Sequence, residues 1–205
     1  STTATAAAAL PKAGGTMTGN IVLGTNTVGG LQITTTGTGN TGLGTGAVDS
    51  ITTGTNDVGL GNNALTANTT GYNNTASGFQ AMMANTTGYQ NTANGANTLI
   101  ANTTGIANTA LGFASLGSNT TASNNTALGY AALNANTTGA DNTAVGYYAL
   151  LANTTGRESN ATGGSALAAN TTGIRNTASG FAALTDNTTG SYNTASGYRS
   201  LESNT

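Results

Sequence analysis

The sequence has no cysteine, histidine or tryptophan and only one proline, and charged residues make up 5% of its 205 residues. Without cysteine, disulfides and thiolate metal sites are excluded. Without histidine and cysteine, the usual pairs of catalytic nucleophile and base are missing as well. We therefore predict that the protein is not an enzyme and that it has no catalytic residues, no metal site and no cofactor.

The shortage of charge also limits the partners. Four basic residues against six acidic ones provide no basic surface for nucleic acid. No apolar run approaches the roughly 20 residues that span a bilayer. Disorder usually needs a high net charge or few apolar groups, whereas the net charge here is only −2. We expect an ordered protein that binds no nucleic acid and does not insert into a membrane.

What the chain does contain is a repeat of 17 residues, whose positions we number 1 to 17 from a leading asparagine. The leading residues are Asn68, Asn85, Asn102, Asn119, Asn136, Asn153, Asn170, Asn187 and Asn204. Weaker copies begin at Thr34 and Ile51, which gives ten complete copies up to Ser203 and the start of an eleventh. A short and strict period is typical of a solenoid in which each copy forms one coil.

The period divides the chain into a lead-in, residues 1–33, and a solenoid, residues 34–205. In the lead-in, Ser1–Ala9 is a run of small residues that we expect to be flexible or helical, and Ile21–Leu23 and Leu31–Ile33 are predicted short strands. Because Ser1 is not a start methionine and Thr205 falls two residues into the eleventh copy, we expect the chain to be a piece of a longer protein.

Glycine at positions 4 and 11, with Ala122 as the one exception at position 4, divides each copy into two segments. We predict a short strand in each segment and a turn at each glycine, with a positive φ at position 4. Helix is disfavoured by glycine at this density. The predicted fold is an all-β parallel β-solenoid or β-roll of 17-residue coils, in which the asparagines at positions 1 and 7 form ladders of stacked amides.

Two further positions form the predicted core. Position 9 is alanine in all strong copies: Ala76, Ala93, Ala110, Ala127, Ala144, Ala161, Ala178 and Ala195. Position 15 is a large apolar residue, and we expect it to be buried: Met82, Leu99, Leu116, Leu133, Leu150, Leu167, Leu184 and Leu201. Burying one such residue per coil contributes about 2–3 kcal/mol, whereas ordering a coil costs about 25 kcal/mol at about 1.5 kcal/mol per residue. We therefore expect partner chains to cover this core.

Two stretches resemble known families. The stretch Leu10–Ile21 resembles a motif of tail fibre proteins from tailed bacteriophages, although Asn20 stands where aspartate is more usual. The repeat core Asn-Thr-Ala-x-Gly-x-x-Ala-Leu resembles repeats in the head domains of trimeric autotransporter adhesins and in phage fibres, although those repeats are often shorter. The resemblance implies an intertwined homotrimer, with three chains wound around one axis.

The resemblance also suggests a function. We expect a structural segment of a phage tail fibre, located in the virion, that spaces or presents a host-recognition surface. Its partners would be copies of itself, other tail proteins and a host cell-surface glycan or protein. The alternative is the head of a bacterial trimeric adhesin on the cell surface. Paired threonines at positions 2 and 3 raise a third, lower-ranked alternative, an ice-binding solenoid, although strand neighbours face opposite ways.

Aromatic and charged side chains are the remaining candidates for a site. Phe79, Phe113, Tyr130, Tyr147, Phe181 and Tyr198 share position 12. They are expected either to pack between strands or chains or to form an exposed ladder that stacks on sugars. Tyr72, Tyr89, Tyr148 and Tyr192 lie outside this position and are the predicted receptor-binding candidates.

Asp141 and Glu158 share position 6 with Arg175 and could mimic a glycosidase pair, but we expect a solvated surface cluster.

Overall fold

A computed structural model describes residues 33–34 and 38–204, and all strands of this part form one sheet of 11 strands in sequence order. The strands are β1 Ile33–Thr34, β2 Thr41–Leu43, β3 Val58–Leu60, β4 Thr75–Ser77, β5 Thr92–Asn94, β6 Thr109–Leu111, β7 Thr126–Leu128, β8 Thr143–Val145, β9 Asn160–Thr162, β10 Thr177–Ser179 and β11 Thr194–Ser196.

The ten strands β2 to β11 pair in parallel, each with its counterpart one repeat away. Ala144 of β8, for example, lies opposite Ala161 of β9. The predicted all-β parallel solenoid with one coil per repeat is thus confirmed. β1 was only partly foreseen, since it includes Ile33 but pairs with β2 in an antiparallel direction. The other expectations for the lead-in lie outside the described residues.

Only the first of the two predicted strands per coil exists in the described part of the chain. The second segment is a compact loop, because positions 13 and 15 take positive φ angles, 57° at Tyr148 and 51° at Leu150. Its amides donate in alternate directions: Tyr148 N donates to Tyr130 O of the coil before, and Leu150 N to Ala166 O of the coil after, each at 3.0 Å. The prediction of a second strand is therefore wrong.

The leucines of position 15 lie inside each coil. Leu99, Leu133 and Leu150 have no exposed surface in the single chain, and the alanines of position 9 are buried opposite them. The chain therefore closes each coil around its own core, and the expectation that partner chains must cover these residues is wrong. Leu201 is the exception at 50% exposure, because the described chain ends before another coil can cover it.

The asparagine ladders join the coils from inside. At position 1, Asn153 Nδ2 donates to Asn136 Oδ1 at 2.9 Å and to Gly156 O at 3.0 Å. At position 7, Asn142 Nδ2 donates to the same carbonyl of Gly156 at 2.8 Å. The amide side chains thus satisfy buried backbone carbonyls that the short strands leave unpaired, and burying those carbonyls without partners would be costly.

The glycines of position 4 are needed for space and not for a left-handed backbone. Gly156 has no positive φ, but a Cβ there would meet the Asn153 amide oxygen and lie 2.5 Å from Gly173 O. Ala122 is the exception, and its carbonyl still accepts from Asn108 and Asn119. The predicted positive φ belongs instead to position 11, for example 134° at Gly146.

A buried carboxylate starts the ladder of position 1. Asn68 is its first asparagine, because the previous copy has Ile51 there. Asp57 supplies the missing acceptor, since its Oδ2 accepts from Asn68 Nδ2 at 2.9 Å and its Oδ1 accepts from Asn74 N at 2.8 Å. Burial raises the pKa of the Asp57 carboxyl above 3.8 despite these donors, because removal from water disfavours the charged form.

Replacing a leucine of position 15 with a charged residue is expected to disrupt the coils around it. Leu150→Asp should lower the free energy of unfolding by at least the 2–5 kcal/mol typical of core truncations, because it buries a charge without a partner. Leu201→Asp is the matched control at the half-exposed end of the same ladder. Thermal unfolding followed by circular dichroism checks this, and equal melting temperatures for the two variants would contradict the assigned core.

The raised pKa of Asp57 predicts how the stability of the fold depends on pH. Because the carboxyl binds its proton more tightly in the folded chain, its contribution to stability is most favourable below 3.8 and is lost as pH rises through the folded-state pKa. The melting temperature of Asp57→Asn relative to the parent should therefore rise between pH 3 and pH 7. A difference that is constant over this range would show that Asp57 does not titrate in this way.

Candidate functional site

The glycine at position 11 ends the strand, and the residue after it projects from the surface of the coil. Most aromatic residues at this position are therefore about half exposed, and Tyr198 is 72% exposed; the half-exposed ones are Phe79, Phe113, Tyr130, Tyr147 and Phe181. Because the coils are in register, these rings lie one above another. We call the continuous part of this row, together with Tyr148 of position 13, the aromatic strip, which comprises Phe113, Tyr130, Tyr147, Tyr148, Phe181 and Tyr198.

Rings of the strip contact one another directly. Phe113 stacks on Tyr130 and Phe181 stacks on Tyr198, each pair with ring centroids 5.5 Å apart. Tyr148, at position 13, meets the Tyr130 ring edge to face at a centroid distance of 5.5 Å. Side chains of position 13 therefore lie beside those of position 12, which the spacing in the sequence did not indicate.

The strip continues past Gly164, where position 12 has no side chain. Tyr147 leans over this glycine, and its ring lies 2.5 Å from where a Cβ would be. Its centroid is then 6.5 Å from that of Phe181, two coils away. Tyr148 supports the leaning ring from the side at 5.8 Å. A missing aromatic residue is thus bridged by its neighbour.

Position 12 has two interpretations: rings that pack between strands or chains, and an exposed ladder that stacks on sugars. The geometry excludes packing between the strands of one chain. The rings are exposed in the single chain and do not pack between its strands. Stacked rings cover one another's faces, so most of the strip offers ring edges to solvent. A sugar can stack face to face only at the end of a stack or at an interruption.

The predicted receptor-binding tyrosines do not form one site. Tyr72 and Tyr89 stack on each other at position 5 with centroids 4.6 Å apart and planes 7° apart. Tyr148 belongs to the aromatic strip, and Tyr192 is 67% exposed at position 6. Exposure does not distinguish these tyrosines from the aromatic residues of position 12, because Phe79 is more exposed than Tyr72.

The charged residues of position 6 form a surface ladder. Arg175 Nε donates to Glu158 Oε2 at 2.7 Å, and Arg175 Nη1 donates to the Tyr192 hydroxyl at 3.1 Å. Asp141 accepts from Asn124. Asp141, Glu158 and Arg175 are all exposed, as the sequence predicted.

The hydrogen bond from Arg175 lowers the pKa of Glu158 below its usual value, with a smaller contribution from Arg157. A general acid of a glycosidase needs the opposite shift. Glu158 is therefore held ionised at neutral pH, which suits an ion pair and not proton donation.

The paired threonines also separate into two roles. The position-2 hydroxyl is bound to the next coil, as Thr137 Oγ1 donates to Thr154 O at 3.0 Å. Thr138 at position 3 is exposed. The position-2 threonines of the inner coils are only partly exposed and use their hydroxyls within the solenoid, so the second rank of free hydroxyls that an ice-binding face would need is not supplied by this pair.

Comparison with known proteins identifies no relative. No family model, no curated protein and no solved structure matches the chain. Within the described residues, no helix is long and apolar enough to cross a membrane. In the same part of the chain, no three His, Cys, Asp or Glu side chains are grouped so that they could hold a metal ion. The aromatic strip and its interruptions are the candidate site.

Neutralising Glu158 is expected to have little effect on stability. In Glu158→Gln the ion pair with Arg175 is lost, but both side chains are exposed and surface pairs contribute little. The melting temperature should stay close to that of the parent at low and at high salt. A clear loss of stability in Glu158→Gln would indicate that the position-6 ladder holds the coils together. If the same variant lost a polysaccharide-cleaving activity that the parent has, the prediction that the protein is not an enzyme would be contradicted.

Proposed function

We propose that the chain is a structural, non-catalytic segment of a bacteriophage tail fibre that spaces or presents a host-recognition surface. The observation that supports this most is the unbroken in-register stacking from β2 to β11. Nine steps of about 4.8 Å form a rod about 43 Å long. The resemblance of Leu10–Ile21 to a tail fibre motif favours the phage over a bacterial adhesin.

Stiffness follows from the way the coils are joined. Most steps combine strand pairing, the two asparagine ladders and a buried apolar residue of position 15, so bending the rod would break several interactions at once. Such a rod keeps the side chains of neighbouring coils at a fixed spacing. It can repeat weak contacts to a host cell surface along its length, and avidity then replaces high affinity at any single contact.

We propose a homotrimer as the assembly, and this rests on the resemblance to trimeric fibres and adhesin heads. The chain buries its own leucines, so three closed solenoids packed side by side would satisfy the core as well as intertwined chains do. The mass of the purified protein in light scattering tests the assembly separately from the function. A stable folded monomer would contradict the trimer and leave the fibre proposal standing.

The location of the protein tests the fibre proposal itself. A labelled antibody against residues 34–205 should bind tail appendages when intact particles from the source are imaged, because a fibre segment is exposed along the tail. Bacterial cells from the same source, without attached virions, are the control. Label on the cell surface and none on virions would contradict the proposal and favour the adhesin.

A further inference from the structure

The aromatic row of position 12 has a second interruption, at Ala96 between Phe79 and Phe113. We propose that this gap, which we call the Ala96 slot, binds a single ring of a neutral host glycan between the Phe79 and Phe113 side chains, with Asn97 as its hydrogen-bond acceptor. The inference rests on the proposed role in host recognition and identifies the ligand class and the residues that take it.

No aromatic ring bridges the Ala96 slot, unlike the interruption at Gly164. Tyr147 crosses Gly164 and contacts Phe181, and Tyr148 supports it from position 13. At the Ala96 slot, position 13 is Asn97 instead of tyrosine. Among the described aromatic residues no ring contact joins Phe79 to Phe113, and Ala96 keeps part of its surface exposed, so no ring bridges this interruption.

The width of the slot suits one ring. Coils repeat every 4.8 Å or so, which places the anchors of Phe79 and Phe113 about 9.6 Å apart. A ring inserted midway would lie about 4.8 Å from each neighbour, within the roughly 4.5–7 Å range of stacked rings. Phe113 already stacks on Tyr130 with one face, so its other face is directed toward the slot.

Asn97 provides the polar contact. In the described part of the chain, its Oδ1 is the only buried side-chain polar atom without a hydrogen-bond partner. Its backbone N donates to Phe79 O at 2.9 Å, which fixes the residue beside the slot, as Tyr148 is fixed beside Tyr147. The side chain as a whole is partly exposed, and in the proposed complex its amide turns so that Oδ1 accepts a hydrogen bond from a ligand hydroxyl.

The surroundings of the slot select a neutral ligand. No charged residue occurs between Asp57 and Asp141, so the coils next to the slot carry no cation for a phosphate or a sialic acid. A nucleobase would fit the width, but the nucleic-acid backbone it belongs to depends on cationic side chains for most of its affinity. A neutral sugar combines apolar ring faces with hydroxyl donors and matches both the phenylalanines and Asn97.

The test compares binding of the full chain and its variants to immobilised neutral oligosaccharides, with sialylated oligosaccharides and single-stranded oligonucleotides on the same surface. The parent should be retained by a subset of the neutral sugars, and free monosaccharide should compete. Ala96→Phe should weaken this binding about tenfold or more, because it fills the slot with a ring that position 12 carries in other coils. Asn62→Phe, at position 12 one coil before Phe79, is the matched control and should bind like the parent.

Two further variants separate binding from folding. Phe79→Ala removes one wall and Asn97→Ala removes the acceptor, and each should weaken retention while the circular dichroism spectrum and melting temperature stay near those of the parent. Absence of retention on every neutral sugar, equal retention of Ala96→Phe, or retention on oligonucleotides alone would overturn the proposal. These outcomes concern the purified protein, so they are distinguishable from a failure of the fibre proposal, which is decided by where the antibody binds.

Discussion

Each coil of the solenoid completes its backbone hydrogen bonds with the coil before it and the coil after it. The strand of three residues cannot do this alone, because most of the coil is loop. The two asparagine ladders take over where the strand ends, and amides from both converge on the same glycine carbonyl, such as that of Gly156. Position 4 must then be small, since a side chain there would enter the space of the ladder. One network of amides therefore determines three of the invariant or nearly invariant positions of the repeat.

The same constraint explains the unusual backbone of the second segment. Positions 13 and 15 take left-handed φ angles in residues other than glycine, including Leu150 and Tyr148, at a cost of about 1–2 kcal/mol per residue. The arrangement directs the amides of positions 13 and 15 to opposite neighbours and folds the segment back over the strand. The leucine is thereby enclosed by its own coil and the adjacent ones, and its burial offsets the cost of the strained angle.

Positions outside the network are free to vary, and the surface features lie there. The aromatic strip uses positions 12 and 13, the charge ladder uses position 6 and the Tyr72–Tyr89 stack uses position 5. A residue placed at any of these positions meets the same position of the next coil at a fixed distance. A stiff scaffold with a variable surface suits the proposed fibre, because recognition can change from coil to coil while the core is retained.

The sequence by itself determined the solenoid, its period, its parallel register and the buried leucine and asparagine positions, because a strict repeat leaves each residue stacked on its own counterpart. It could not determine the conformation of the second segment, since the leucine and tyrosine found there normally avoid left-handed angles. It also could not show that one chain encloses its own core, or that Tyr147 bridges one interruption of the aromatic row while no ring bridges the other, at Ala96. Those outcomes depend on how a side chain leans toward coils above and below it, and only the tertiary structure decided them.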